Sequence, residues 1–118
     1  MNQLYVLDDN GEPRAVEDVN EWAAWFKNAS RTIVGPHGMC ARHVAKDVVG
    51  DYTVSTIFLG LDHSFLGEGR PILWETMVFG PEGDIDVDEE YFMRQATRAD
   101  AAKWHEHVVA SLREKGAK

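Results

Sequence analysis

The sequence predicts an α+β fold: a small antiparallel sheet of three to four strands with two helices packed on it, in the order β-α-β-β-β-α. Three observations carry this expectation. The stretches 18–29 and 97–112 repeat apolar residues at helical spacing behind cap residues. The stretches 52–61 and 71–80 are rich in β-branched and aromatic residues, which fit a pleated, half-buried surface. Turn-forming clusters separate these segments.

In chain order, residues 3–7 (QLYVL) read as a short strand, closed by the turn cluster DDNGEP at 8–13. Asp18 with Glu21 three residues on has the form of a capping box, with Asp as the cap. Val19, Trp22, Ala23, Phe26 and Ala29 then fall on one helical face. Trp25 lies off the centre of that stripe and is expected to be partly exposed. Residues 35–40 (GPHGMC) have loop chemistry, and 43–49 read as a strand ended by Gly50 and Asp51. The loop 62–70 joins the strands 52–61 and 71–80 into an antiparallel hairpin with a long tip. Pro71 opens the second strand, where a missing N–H is tolerated. The acidic stretch 82–90 is turn-like, with a short strand expected at 84–88. Thr97 with Asp100 caps a final helix whose apolar face is Ala101, Trp104, His105, Val108 and Leu112.

Composition narrows the class. A single globular domain is expected over all 118 residues, with 44% hydrophobic and 27% charged side chains. The single cysteine, Cys40, excludes an internal disulfide and the zinc patterns built from several cysteines. Twenty acidic residues against twelve basic ones give a net charge of −8, which argues against direct nucleic-acid binding and fits a basic partner. Apolar runs such as 56–61 fall far short of the roughly 20 residues that span a bilayer. The opening MNQLYVLDDNGE lacks a basic segment and a long apolar run, so a cytoplasmic location is expected.

Residues 54–65 (VSTIFLGLDHSF) and 71–80 (PILWETMVFG) resemble a group of small proteins encoded by phages, prophages and bacterial genomes. The outline is similar too: an N-terminal strand and helix, the double-strand signature, then a helix carrying a histidine, here His105 in KWHE at 103–106. The resemblance covers about residues 1–30 and 50–110. Residues 31–46 look like an insertion relative to the usual pattern, and 82–92 also depart from it. The resemblance implies kinship and no particular activity.

Candidate chemistry concentrates at Asp62, His63, Arg70, Glu75 and His105. Asp62 and His63 sit where a strand enters a long loop, and Glu75 interrupts a strongly apolar strand. A buried carboxylate is costly unless paired, so Glu75 needs a partner, with His63, His105 or Arg70 as candidates. A histidine–carboxylate pair suits general-base work or metal ligation. Against this, no HExxH pattern is present, and His105 and His107 point apart on a helix. The structural alternative is that Glu75 satisfies a neighbouring donor and His105 is a core histidine. Gly67, Gly69 and Arg70 suit an anion only weakly, because no recognised phosphate-loop framework surrounds them.

Asp84, Asp86 and Asp88 fail the calcium-loop pattern, since Glu89 stands where glycine is needed and Gln95 where glutamate is needed. As a strand they share one face at roughly 6.6 Å spacing. With Glu89 and Glu90 they form a candidate surface for a basic protein, or a solvated edge that resists aggregation. Cys40 has His37 and His43 nearby in sequence, but nothing there supplies an oxyanion hole or a third group.

Two functions are expected from different classes. The first is a small acidic accessory protein, phage or prophage encoded, that binds and inhibits a host or defence component, acting in the host cytoplasm. The second is a small-ligand or enzymatic site around Asp62, His63, Glu75 and His105. A homodimer assembled through Trp25 or an edge strand is a plainer third option. No cofactor and no metal are expected.

Overall fold

Four strands and one helix make the larger layer of the molecule. The computed structural model describes residues 3–64, 70–81 and 91–116. Strands β3 (His43–Val49), β4 (Tyr52–Phe58), β5 (Trp74–Phe79) and β6 (Met93–Gln95) form an antiparallel sheet in that order. A separate antiparallel hairpin pairs β1 (Leu4–Leu7) with β2 (Pro13–Val16). Helix α1 (Val19–Arg31) follows β2, and helix α2 (Arg98–Glu114) ends the fold. The fold is therefore α+β, with two antiparallel sheets rather than one. The two additions to the expected order are β2 and β6. Among the described residues, no helix is long and apolar enough to cross a membrane. The expected strand at 84–88 lies outside the described residues.

Local chemistry accounts for the element ends. The Asp18 side chain accepts from the backbone of Asn20 and Glu21, and Thr97 accepts from Asp100, so both helices start where their caps lie. Strands β3 and β4 are joined by Gly50 and Asp51, and Gly50 takes a φ of 61°, which a tight hairpin turn demands. Asp8 holds the β1–β2 turn by accepting from the backbone of Asn10 and Glu12. This side-chain turn lets the chain reverse within the 8–13 cluster and return as β2.

Side-chain alternation gives the four-stranded sheet two unlike faces. The inner face carries Val54, Thr56 and Phe58 of β4 with Trp74, Thr76 and Val78 of β5, all buried. Helix α2 covers it with Ala101, His105, Val108, Val109 and Leu112. Tyr91 also lies in this core, and Trp104 packs against it. Helix α1 instead packs toward the β1–β2 hairpin. Its buried seam differs from the expected stripe in that Val19 and Ala23 are exposed; Trp25, off the stripe's centre, is partly exposed as expected and meets Phe58 edge-on at 5.8 Å.

Gly60 joins the two sheets. Its carbonyl accepts from the Tyr5 backbone and from Trp22 Nε1, both at 2.9 Å, and Leu4 bridges Leu61. Its φ is 76°, and a Cβ there would meet Phe26 and Trp22 atoms at 3.2 Å. We predict that Gly60→Ala destabilises the fold by about 1–2 kcal/mol, from the left-handed backbone alone and more where the rings do not yield. The urea unfolding midpoint measures it, and an unchanged midpoint contradicts the argument.

Candidate functional site

The residues singled out in the sequence are distributed over three places. Asp62 anchors the base of the loop after β4: its carboxylate accepts from the backbone and hydroxyl of Ser64 and from the Ile72 backbone. Burial there opposes ionisation, but these hydrogen bonds outweigh it and hold the Asp62 pKa below the ordinary value. His63 Nδ1–H donates to the Leu61 carbonyl at 2.7 Å. Arg70 is exposed. Gly67 and Gly69, like Asp84, Asp86, Asp88, Glu89 and Glu90, lie outside the described residues.

Glu75 does find a partner, and it is Arg94. The two stand opposite each other in the β5–β6 register, with Arg94 Nε 2.9 Å from the carboxylate. The expectation of His63, His105 or Arg70 as partner is thereby corrected. Cross-strand pairing places Arg94 beside Glu75, whereas strand alternation puts His105 on the opposite face of the sheet. Glu75 is 13% exposed and Arg94 44%, so the pair offsets desolvation and adds little beyond that.

His105 belongs to a buried polar chain. Its Nε2 lies 2.7 Å from Asp47 Oδ2, and its Nδ1 lies 2.7 Å from Thr56 Oγ1. Thr56 Oγ1 in turn lies 2.6 Å from Thr76 Oγ1. With a carboxylate at Nε2, that nitrogen carries a proton. In the neutral ring Nδ1 then accepts from Thr56, whose oxygen accepts from Thr76, and every polar atom in the chain has a partner. Thr56 is fully buried and therefore cannot reach a substrate. The Thr–His–Asp set has the composition of a nucleophilic triad and none of its access.

A different set of residues lines an open groove on the outer face of the sheet. The groove, of about 610 Å³, is lined by His37, His43, Lys46, Val48, Thr53, Ser55 and Phe79. Register sets its floor: Lys46 pairs with Ser55 on one rung, and Val48, Thr53 and Phe79 line the next. His43 joins this face because a bulge between His43 and Ala45 shifts the register. One end is overhung by residues 32–41, a small hairpin closed by Val34 N–H to the Met39 carbonyl and by an Ile33–Cys40 bridge. At its tip, His37 holds a left-handed φ of 61°, uncommon for a side-chain-bearing residue.

His43 is fixed in one tautomer. Its Nδ1 accepts from the Cys40 backbone N–H at 3.0 Å. The neutral ring therefore carries its proton on Nε2 and donates to Ser55 Oγ at 3.0 Å. Partial burial, then the charges of Lys46 and Arg42, push the His43 pKa down to about 4. His43 is thus a donor to Ser55 and not a base for it, and its Nδ1 is not free to activate the buried Cys40 thiol. The sequence points to His43 only through Cys40; the pairing with Ser55 depends on strand register.

Among the described residues, no group of three or more His, Cys, Asp or Glu side chains is placed to hold a metal ion.

Two outcomes follow. Thr56→Val keeps the shape but strips His105 Nδ1 and the Thr76 hydroxyl of their shared partner, so stability falls by about 1–3 kcal/mol by urea unfolding; a neutral change would show that the chain contributes nothing. His43 has an ordinary pKa of 6.5 and a folded value of about 4, so between these the unfolded chain binds the extra proton. Wild-type stability is unpenalised above pH 6.5 and declines as pH falls toward 4. His43→Gln lacks this component, so the wild-type advantage over it shrinks across that window, and parallel profiles would refute the assignment.

No family model matches the chain, and comparisons with curated proteins and with solved structures likewise give no match.

Proposed function

We propose that this chain works by binding a protein partner, as a small acidic accessory factor, rather than by turning over a substrate. One observation carries the reading. The 32–41 hairpin holds two adjacent aliphatic side chains out in solvent, Ile33 at 63% and Val34 at 57% exposure. Single exposed aliphatics are ordinary, but two neighbours on a hydrogen-bonded projection cost solvation that contact with a partner would recover. The reactive-looking groups meanwhile serve the fold: Glu75 holds Arg94, His105 holds Thr56 and Asp47, and Asp62 closes its loop.

The partner this suits has an apolar patch rimmed by basic residues, because the chain carries a net charge of −8. The similarity of residues 54–65 and 71–80 to phage and prophage proteins supports a partner in a bacterial host, a host or defence component inhibited by occupation of its surface. Residues 31–46, outside the resemblance, contain the hairpin, so specificity resides in the part that differs from those proteins.

The test is affinity capture from bacterial lysate with the intact chain and with an Ile33→Asp/Val34→Asp double variant. Both side chains are exposed, so the variant keeps its stability within about 0.5 kcal/mol per site. The wild type enriches a defined protein that the variant loses. Equal enrichment by both, or none by the wild type, overturns the reading.

A further inference from the structure

The outer-face groove has a chemistry that partner docking at the 32–41 hairpin does not use. In a chain with twenty acidic residues, none of its seven lining residues is acidic. Lys46 supplies an ammonium group, and among the described residues it makes no ion pair. Two carboxylates of the same strands are otherwise engaged: Asp47 of β3 faces His105 on the other side of the sheet, and Glu75 of β5 is held by Arg94.

Ser55 adds a directional donor. It is buried on the groove floor beside Lys46 and accepts a hydrogen bond from His43 Nε2–H. Because His43 is locked as donor by the Cys40 amide, the Ser55 hydroxyl hydrogen is not used in that bond. Among the described residues it has no other acceptor. A buried hydroxyl with a filled lone pair and an unspent proton is poised to donate to a group entering the groove. The next rung offers Val48 and Phe79 flanking Thr53, an apolar bed directly beside the donors.

We propose that this groove binds a small organic monocarboxylate with an apolar tail, its carboxylate held by Lys46 Nζ and the Ser55 hydroxyl and its tail lying on Val48 and Phe79. One permanent positive charge matches one negative charge, and a phosphate dianion would need more cations or a nest of backbone amides. The volume of about 610 Å³ lies within the range of small-molecule sites. The site stands independently of the partner-binding reading, since Ile33 and Val34 do not line it.

The experiment is amide NMR titration of the intact chain with octanoate. Octan-1-ol serves as the tail without the charge, acetate as the charge without the tail, and an acetylated tetrapeptide ending in leucine as a peptide carboxylate. Octanoate shifts the amides of Lys46, Val48, Thr53, Ser55 and Phe79 saturably, while each control binds at least about tenfold more weakly. Lys46→Gln, at a partly exposed position, weakens octanoate about tenfold and leaves the spectrum otherwise folded. Ser55→Ala weakens it as well; should that variant unfold for want of the His43 acceptor, Lys46→Gln still decides. The proposal is overturned if octanoate leaves these amides unmoved, if octan-1-ol or the peptide binds as well as octanoate, or if Lys46→Gln binds like the wild type.

Discussion

The polar chain running from Thr76 through Thr56 and His105 to Asp47 is the constraint on which the larger layer depends. It crosses β5, β4, α2 and β3, touching every element of that layer except β6. Apolar contacts such as Val54 with Val108 pull α2 onto the sheet but tolerate small slides. Hydrogen bonds of 2.6–2.7 Å do not, so the chain fixes both the height and the rotation of α2. It also explains why threonines occupy the middle of a face otherwise filled by Val, Phe and Trp. A histidine brought into the core needs a partner on each nitrogen, and only one of them is a carboxylate.

Much of this architecture was legible in the chain, and the remainder was hidden for physical reasons. The caps Asp18 and Thr97 act through neighbours two or three residues away, so local sequence suffices to place both helix starts. The β3–β4–β5 strands carry enough β-branched and aromatic residues to be read directly. Strand β2 was not visible, because Pro13 and exposed Arg14 and Ala15 give it no alternating pattern. Strand β6 has three residues, too short for any period to show. The exposure of Val19 and Ala23 was not legible, because one straight stripe does not describe a helix that packs two sides, one to the hairpin and one, through partly buried Trp25, to Phe58.

The candidate site divides in the same way. The need of Glu75 for a partner follows from its apolar strand, but the choice of Arg94 is made by cross-strand register, which no local pattern encodes. The reading of His105 as a core histidine matches where it lies. The groove residues Lys46, Ser55 and Phe79 are separated by up to 33 positions and look unremarkable apart; only the pairing of three strands assembles them. The two faces of one sheet thus treat polar side chains oppositely. Inside, the Thr76–Thr56–His105 side chains are matched to one another and to Asp47, and the buried Tyr91 hydroxyl is the exception; outside, donors remain available.

The bulge between His43 and Ala45 has a consequence for how this chain tolerates changes in length. A strand's inward and outward positions alternate, so one added residue inverts the parity of everything before it. Lys46 and Val48 face outward in ordinary phase, and the extra residue returns His43 to the outward set while Val44 packs toward Phe58. Deletion of Val44 would remove the step, leave His43 opposite Ile57 in unbroken alternation on the outward face, and cost only the packing of Val44 toward Phe58. Deletion of Val44 and Ala45 together would bring His43 to the inward place opposite Thr56 and strip Ser55 of its donor. The step at residue 44 therefore acts as a counting device: the strand tolerates the loss of that one residue and not of two.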